Sequence, residues 1–121
     1  MTNTDTSPAP TEREYCTSER VAKQMLLLIA DHPGTIGPLR CGRIVGGFVV
    51  PAVSEEQREM LDRYAIPDLG WTLRTLKDLI EALERGGLVA RSVGQRPTLS
   101  LTRAGHRALE TLELEEGARR C

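Results

Sequence analysis

The chain has few aromatic residues, no long hydrophobic run and no closely spaced cysteines. Phe, Trp and Tyr make up 3% of its 121 residues, so aliphatic side chains must supply most of any core. The longest apolar run, at 25–30, is far shorter than the roughly 20 residues that a membrane-spanning helix needs. The first residues show neither the basic charge nor the apolar stretch of a secretory signal. We therefore expect one cytoplasmic domain with a small aliphatic core.

Signatures of metal-bound or catalytic sites are also missing. Cys16, Cys41 and Cys121 form no CxxC pair, so free thiols are the simplest interpretation and a four-ligand zinc site is excluded. The sequence contains no Gly-x-x-x-x-Gly-Lys-Ser/Thr motif for binding phosphates. Neither His32 nor His106 has a Cys or an acidic residue at a spacing typical of a metal site or a catalytic triad. We expect a non-catalytic protein that uses no metal and no cofactor.

Charge is nearly balanced over the whole chain but is unevenly distributed. The formal net charge is −1, and because both ends are acidic, residues 19–109 carry +3. The segment 86–108 holds four arginines and no acidic residue. We predict a mildly basic domain at 18–112, preceded by a disordered tail (1–17) and followed by a flexible acidic tail (113–121).

Apolar residues recur at helical spacing in several segments, which are bounded by residues that start or stop helices. The pattern predicts helices at 18–30, 38–45, 72–85 and 104 to about 114, with a capped helical turn at 54–61. The apolar stretch that begins at Phe48 is either a short edge strand or an extended loop, because Pro51 interrupts it.

A hairpin directly follows the strongest helical segment, 72–85. Its arms are 88–92 and 98–102, joined by a turn at 93–97, and the second arm alternates polar and apolar residues. Helices followed by a two-stranded hairpin and a last helix are in the winged-helix order. In that order the helix before the hairpin is presented to DNA, and the hairpin is the wing. We therefore predict an α+β winged helix-turn-helix fold, mostly helical with a short two-stranded wing.

Several segments resemble known winged helices. The ending GGLVARSVGQRPTLSLTRAGHRAL (86–109) is similar to winged helices in general, including MarR- and PadR-like regulators. A more specific resemblance is to the RecQ C-terminal (RQC) family of DNA helicases. It is carried by GPLRCGRIVGG (37–47), by the stretch around Tyr64 and by TLRTLKDLIEALERGGLV (72–89), while YCTSERVAKQMLLLIA (15–30) is similar to the junction after that family's zinc subdomain.

The RecQ resemblance implies a standalone relative of the helicase accessory domain, without the motor and without the zinc subdomain. Its implied role is DNA binding in repair, replication or recombination, in association with the nucleoid. Some members of the family separate base pairs with an aromatic residue at the tip of a long wing. The turn at 93–97 is short and has no aromatic residue, so the resemblance implies binding to duplex or junction DNA.

Basic and polar side chains on helix 72–85 and on the wing are the candidate DNA contacts. The start of the helix offers hydroxyls, cations and free backbone N–H groups, whereas Asp78, Glu81 and Glu84 make its C-terminal half repel DNA. The positions of Arg40 and Arg43 are equally compatible with packing over the second helix and with contacts to the DNA backbone. The predicted DNA-binding residues are Thr72, Arg74, Thr75, Lys77, Arg91, Gln95, Arg96 and Arg103, and a solvated surface is the alternative for each.

Two other functions stay open at this point. A MarR- or PadR-like transcriptional regulator would dimerise through long terminal helices. The last helix here is short, and only Leu109, Leu112 and Leu114 could form an apolar dimer interface. We therefore expect a monomer. A winged helix that contacts another protein would suit the net charge of −1 and the acidic half of helix 72–85. DNA is the predicted partner, and a helicase or another protein is the second candidate.

Overall fold

The computed structural model describes residues 12–48 and 54–119, with side chains at 18–48 and 54–114. In these parts the chain forms five helices and one small antiparallel sheet. In chain order they are α1 (Glu12–Asp31), α2 (Pro38–Val45), α3 (Glu55–Tyr64), α4 (Leu73–Arg85), β1 (Val89–Arg91), β2 (Leu99–Leu101) and α5 (Arg103–Arg119). The prediction of a mostly helical α+β chain with a two-stranded hairpin is confirmed. No helix within the described ranges is both long and apolar enough to cross a membrane.

The core is built around α1, one face of which is fully buried. Val21, Met25, Leu28 and Ile29 lie on the apolar stripe that the spacing predicts, and each is 0% exposed. This face packs against α2, β2 and α5. The burial of this aliphatic stripe is the main source of hydrophobic stabilisation for the central helix.

Both terminal helices extend into the predicted tails, because residues 12–17 and 113–119 are helical. The prediction of a disordered tail is wrong at residues 12–17, and α5 continues past its predicted end near Leu114 as far as Arg119. The extensions are rich in Glu and also contain Arg, residues with high helix propensity that readily continue a helix that is already nucleated. The other tail residues, 1–11 and 120–121, lie outside the described part of the chain.

A full helix, α3, replaces the single capped turn predicted at 54–61. The predicted capping box is present, because Ser54 Oγ accepts a hydrogen bond from Gln57 N while Ser54 N donates to the Gln57 side chain. Met60 and Tyr64 are buried one turn apart, and this tertiary packing carries the helix beyond the capped turn. The edge strand or loop expected after Phe48 lies at 49–53, outside the described residues.

Tyr64 joins α3 to α1. Its hydroxyl donates a 2.5 Å hydrogen bond to Asp31 Oδ2, and its backbone carbonyl accepts one of 3.0 Å from Gln24 Nε2. Its ring meets the His32 ring edge-on, with 6.1 Å between the centroids. Burial, together with the hydrogen bond to the Asp31 carboxylate, raises the pKa of Tyr64 above its ordinary value.

Hydrogen bonds between two short motifs hold the hairpin between α4 and α5. The motifs are Gly87-Leu88-Val89 and Leu101-Thr102-x-x-Gly105. The Thr102 hydroxyl donates a 2.5 Å hydrogen bond to the Gly87 carbonyl and accepts one of 3.0 Å from Gly105 N. Thr102 N donates a 3.1 Å hydrogen bond to the Leu88 carbonyl. Because Gly105 has no side chain, α5 can pass directly over that same carbonyl oxygen.

A third stretch of backbone ties the hairpin to the connection between α1 and α2. Within the hairpin Val89 lies opposite Leu101 and Arg91 lies opposite Leu99. Ile36 forms an isolated antiparallel bridge to Leu99, whose N–H donates a 2.8 Å hydrogen bond to the Ile36 carbonyl. Since α2 begins two residues after Ile36, this bridge holds the hairpin beside the start of α2.

Cys41 gives the folded protein a sensitivity to alkaline pH. Its thiol is free and fully buried, and burial raises its pKa from 9.0 to about 12. Above the ordinary pKa, the unfolded chain has lost a proton that the folded chain keeps, so the free energy of unfolding falls as pH rises. We expect a decrease of about 1.4 kcal/mol for each pH unit above about 9 until the folded-state pKa is reached. Tyr64, whose pKa is also raised, adds to the decrease at higher pH.

Urea unfolding of the wild type and of Cys41→Ala, from about pH 8 to about pH 11, tests this expectation. The variant should be less stable at the lower pH, because a cavity replaces the thiol. Its stability should nevertheless fall less steeply with pH. Equal slopes for the two proteins would contradict the assignment of the pH dependence to Cys41. The other two cysteines, Cys16 and Cys121, lie outside the described side chains.

Candidate nucleic-acid interface

A groove of about 690 Å³ lies between α2, α4 and the turn of the hairpin. Cationic and large apolar side chains line it together, and Glu81 is the one carboxylate among the described residues of its lining. The cations are Arg40, Arg43, Lys77, Arg91 and Arg96, and the large apolar residues are Leu39, Ile44, Phe48 and Leu61. The groove therefore combines net positive charge with apolar surface.

Two of the cations come from α2. Pro38 stands in the first turn of this helix, where the missing N–H costs nothing, and Cys41, Ile44 and Val45 form its buried face. Arg40 and Arg43 lie three residues apart, away from that face. Arg40 Nη2 is 4.0 Å from Met60 Sδ, so this side chain packs partly over α3. Arg43 is exposed and forms no ion pair with any residue that the structure describes.

Lys77 reaches the groove from the solvent-facing side of α4. The predicted apolar stripe of this helix is confirmed, since Leu76, Ile80 and Leu83 are buried. Their burial leaves Arg74 and Lys77 exposed on the opposite side. Lys77 lines the groove, and both cations border a second, shallower depression next to it.

Thr72 and Thr75 use their side chains to begin α4. Thr72 is the N-cap, and its hydroxyl accepts a 3.1 Å hydrogen bond from Thr75 N and lies 2.9 Å from Thr75 Oγ1. These hydrogen bonds give both threonine side chains a role in starting the helix, without a ligand. Contact of either threonine with DNA stays a prediction.

Arg91 forms a two-point ion pair with Glu84. Its Nη2 lies 2.6 Å from Glu84 Oε1 and its Nε lies 3.0 Å from Oε2, and the two side chains are 39% and 23% exposed. A weaker, exposed pair joins Arg85 to Glu81 at 4.0 Å. The acidic half of α4 is thus partly neutralised within the chain. The same pairing reduces the charge that Arg91 can offer to a phosphate.

The turn of the hairpin supplies Gln95 and Arg96. The turn is closed by a 2.9 Å hydrogen bond from Ser92 N to the Thr98 carbonyl and by a 2.8 Å bond from Thr98 N to Ser92 Oγ. Both Gln95 and Arg96 line the groove, whereas Val93 near the tip is fully exposed. Among the described residues Arg96 has no ion-pair partner, so its charge is available to a ligand.

The structure brings together half of the predicted DNA-binding residues. Lys77, Arg91, Gln95 and Arg96 line one groove, and Arg74 borders the neighbouring depression. The other three lie elsewhere, since Thr72 and Thr75 cap α4 and Arg103 opens α5. Arg40 and Arg43 also line the groove. The sequence was equally compatible with packing of these two residues over α2 and with their contact to the DNA backbone.

The apolar part of the groove was not predicted. Leu39 and Phe48 are 42% and 39% exposed, and Leu61 of α3 is half-buried. For Leu39 a signal exists, because it stands off the buried face formed by Cys41, Ile44 and Val45. Phe48 offers no comparable signal, since its place in the groove depends on how distant segments pack.

Comparisons with models of known protein families, with curated proteins and with solved structures found no match. The resemblance of residues 37–47 and 72–89 to the RecQ C-terminal family therefore stays a prediction. The geometry and chemistry of the groove are the features of this chain that indicate a function.

Proposed function

We propose that this chain is a winged-helix module that binds DNA without catalysing a reaction, and that the groove holds the sugar–phosphate backbone. The observation that carries this proposal is the clustering of Arg40, Arg43, Lys77 and Arg96 around one concave surface, opposed there only by Glu81 among the described residues. Cations that neutralise phosphates release the counterions condensed on DNA, and this release drives most sequence-independent binding.

The order of the elements supports the winged-helix part of the proposal. α4 directly precedes the hairpin, and α5 follows it. In winged helices the helix before the hairpin is presented to DNA, and the hairpin acts as the wing. Arg74 and Lys77 at the start of α4 and Arg96 on the hairpin would then contact the same nucleic acid from two sides.

A RecQ-like role is the finer part of the proposal. Its support is the sequence resemblance, and one of the resembling segments, 37–47, contains the two groove arginines of α2. The chain would act as a standalone relative of the helicase accessory domain on duplex or junction DNA, in repair, replication or recombination. Other proteins would carry out the catalytic steps of these processes.

We expect the wild-type chain to bind DNA with an affinity that falls steeply with salt, and Lys77→Ala/Arg96→Ala to bind more weakly. These two residues come from different elements, and neither has an ion-pair partner among the described residues. Each lost phosphate contact should reduce the slope of log K against log salt by about 0.9, so the double variant should lose about 1.8. Fluorescence anisotropy with labelled duplex, forked and single-stranded DNA at several salt concentrations measures this change.

A matched control removes the same charge outside the groove. In Arg20→Ala/Arg63→Ala, one residue lies on the exposed side of α1 and the other beside Tyr64 in a separate depression. This control should keep nearly the wild-type slope, and circular dichroism should show that both variants fold. Binding that is absent for all three DNAs at low salt, or that is weakened equally in both variants, would contradict the proposal.

A further inference from the structure

Part of the groove surface is apolar, which the backbone of a DNA duplex does not require. Leu39 and Phe48 are two of the four large hydrophobic side chains that are exposed in the described part of the chain, and both line the groove. The bases of a duplex are stacked inside it, so contact with its phosphates would leave these two side chains in water. A ligand that covers them must carry an apolar face close to its negative charge.

The Phe48 ring packs close to Gly46, and the residue also lines the groove. Its backbone N–H donates a 2.9 Å hydrogen bond to the Arg43 carbonyl. Its ring lies so close to Gly46 that a methyl group there would be 2.6 Å from Phe48 Cε2 and 2.5 Å from Leu76 Cδ1. Phe48 as a whole is 39% exposed, and it lines the groove together with the cations. The ring is therefore a supported aromatic surface rather than a loose side chain.

We propose that the groove seats one unpaired base of single-stranded DNA, on Phe48 and Leu39, while the adjoining phosphates contact Arg43 and Arg96. This inference rests on the proposed function and adds that the groove takes an unpaired base beside the phosphates, as single-stranded DNA and the open part of a junction offer. Single-stranded DNA supplies a flat apolar face and anionic groups in one polymer, and stacking on an aromatic side chain tolerates any base. Arginine suits both parts of such a ligand, because its guanidinium group binds phosphate in two-point fashion and also stacks on flat rings.

The size of the groove agrees with this occupant. Its volume of about 690 Å³ lies inside the range of roughly 300–1,000 Å³ in which pockets hold small ligands. The cations on its rim come from α2, α4 and the hairpin turn, so phosphates on both sides of a seated base would meet positive charge.

The test compares two labelled oligonucleotides of equal length, oligothymidine and the same sugar–phosphate chain without bases, alongside a duplex. The wild type should bind oligothymidine at least about 5-fold more tightly than the abasic chain, because stacking of one base on an aromatic side chain is worth roughly 5- to 150-fold in affinity. Phe48→Leu should remove most of this difference in affinity between the two oligonucleotides, and it should lower duplex affinity by a smaller factor. Phe48→Tyr, which keeps the aromatic face, should retain the difference.

A second variant, Leu39→Ala on the exposed side of α2, keeps the test valid if Phe48→Leu lowers stability. It should also reduce the difference in affinity between oligothymidine and the abasic chain. Equal, salt-dependent binding of the two oligonucleotides by the wild type would overturn this inference and leave the DNA-binding proposal standing. Absence of binding to every DNA would overturn both. A labelled acidic peptide with leucine side chains that binds in a Phe48-dependent manner, when no DNA binds, would also overturn both and assign the groove to a protein partner.

Discussion

Replacement of Gly105 by alanine should lower the free energy of unfolding by about 3 kcal/mol, because overpacking against rigid groups costs this much. Inside a helix this substitution ordinarily stabilises by about 1 kcal/mol, so the expected effect has the opposite sign. A methyl group at Gly105 would overlap the backbone carbonyl oxygen of Leu88, which cannot turn aside as a flexible side chain could. That oxygen also accepts the 3.1 Å hydrogen bond from Thr102 N, so a shift that relieved the overlap would loosen the hairpin from α5.

The same substitution at Gly86 is the matched control. Gly86 has a φ of −77°, which any residue adopts, and a methyl group there would lie 3.3 Å from the Ala82 carbonyl oxygen. We expect Gly86→Ala to change stability by less than about 1 kcal/mol. Urea unfolding followed by circular dichroism gives both values. A Gly105→Ala variant as stable as the wild type would show that α5 does not pass so close to the hairpin.

Truncation of Tyr64 to alanine should cost about 3–5 kcal/mol, as for other large buried aromatic residues. The side chain is 1% exposed, so its removal leaves a cavity between α3 and α1. It also deletes the hydrogen bond to Asp31 and the edge-on contact with His32. Since α3 carries Leu61 at the edge of the groove, loss of Tyr64 should loosen one wall of the proposed interface as well.

Tyr64→Phe separates packing from hydrogen bonding. It keeps the ring and removes only the hydroxyl, so we expect a loss of about 1 kcal/mol. Asp31→Asn retains an oxygen that can accept the hydroxyl hydrogen, and it should cost less than Tyr64→Phe does. Urea unfolding at neutral pH measures all three variants. If Tyr64→Phe were as damaging as Tyr64→Ala, the hydrogen bond to Asp31, and not ring burial, would be what holds α3 in place.

The helices that were predicted best carry complete local signals. α2 spans 38–45 as predicted, because Pro38 suits a first turn and glycines follow the last one. α4 differs from its predicted range of 72–85 only in that Thr72 caps the helix. The local signals were weaker where the prediction failed, at the length of α3 and at the ends of α1 and α5. There, helix length depends on burial of Met60 and Tyr64 or on continuation of an existing helix.

The candidate site was predicted in part for the same reason. A basic or polar side chain and its position on a helix or hairpin were enough to select Lys77, Gln95 and Arg96, which line the groove. Local patterns could not reveal that Arg91 pairs with Glu84, because that contact forms only when the hairpin folds back along α4. They also could not place Phe48 in the groove.

By itself, the sequence determined where the central parts of the helices, the Ser54 capping box and the hairpin turn stand, and that residues 86–108 are basic. These properties depend on neighbours within a few residues. Only the tertiary structure decided that α2, α4 and the hairpin turn enclose one groove, and that its cations surround an apolar surface. The physical reason is that burial of Ile44, Leu76 and Leu99 in a common core brings together segments that are far apart along the chain.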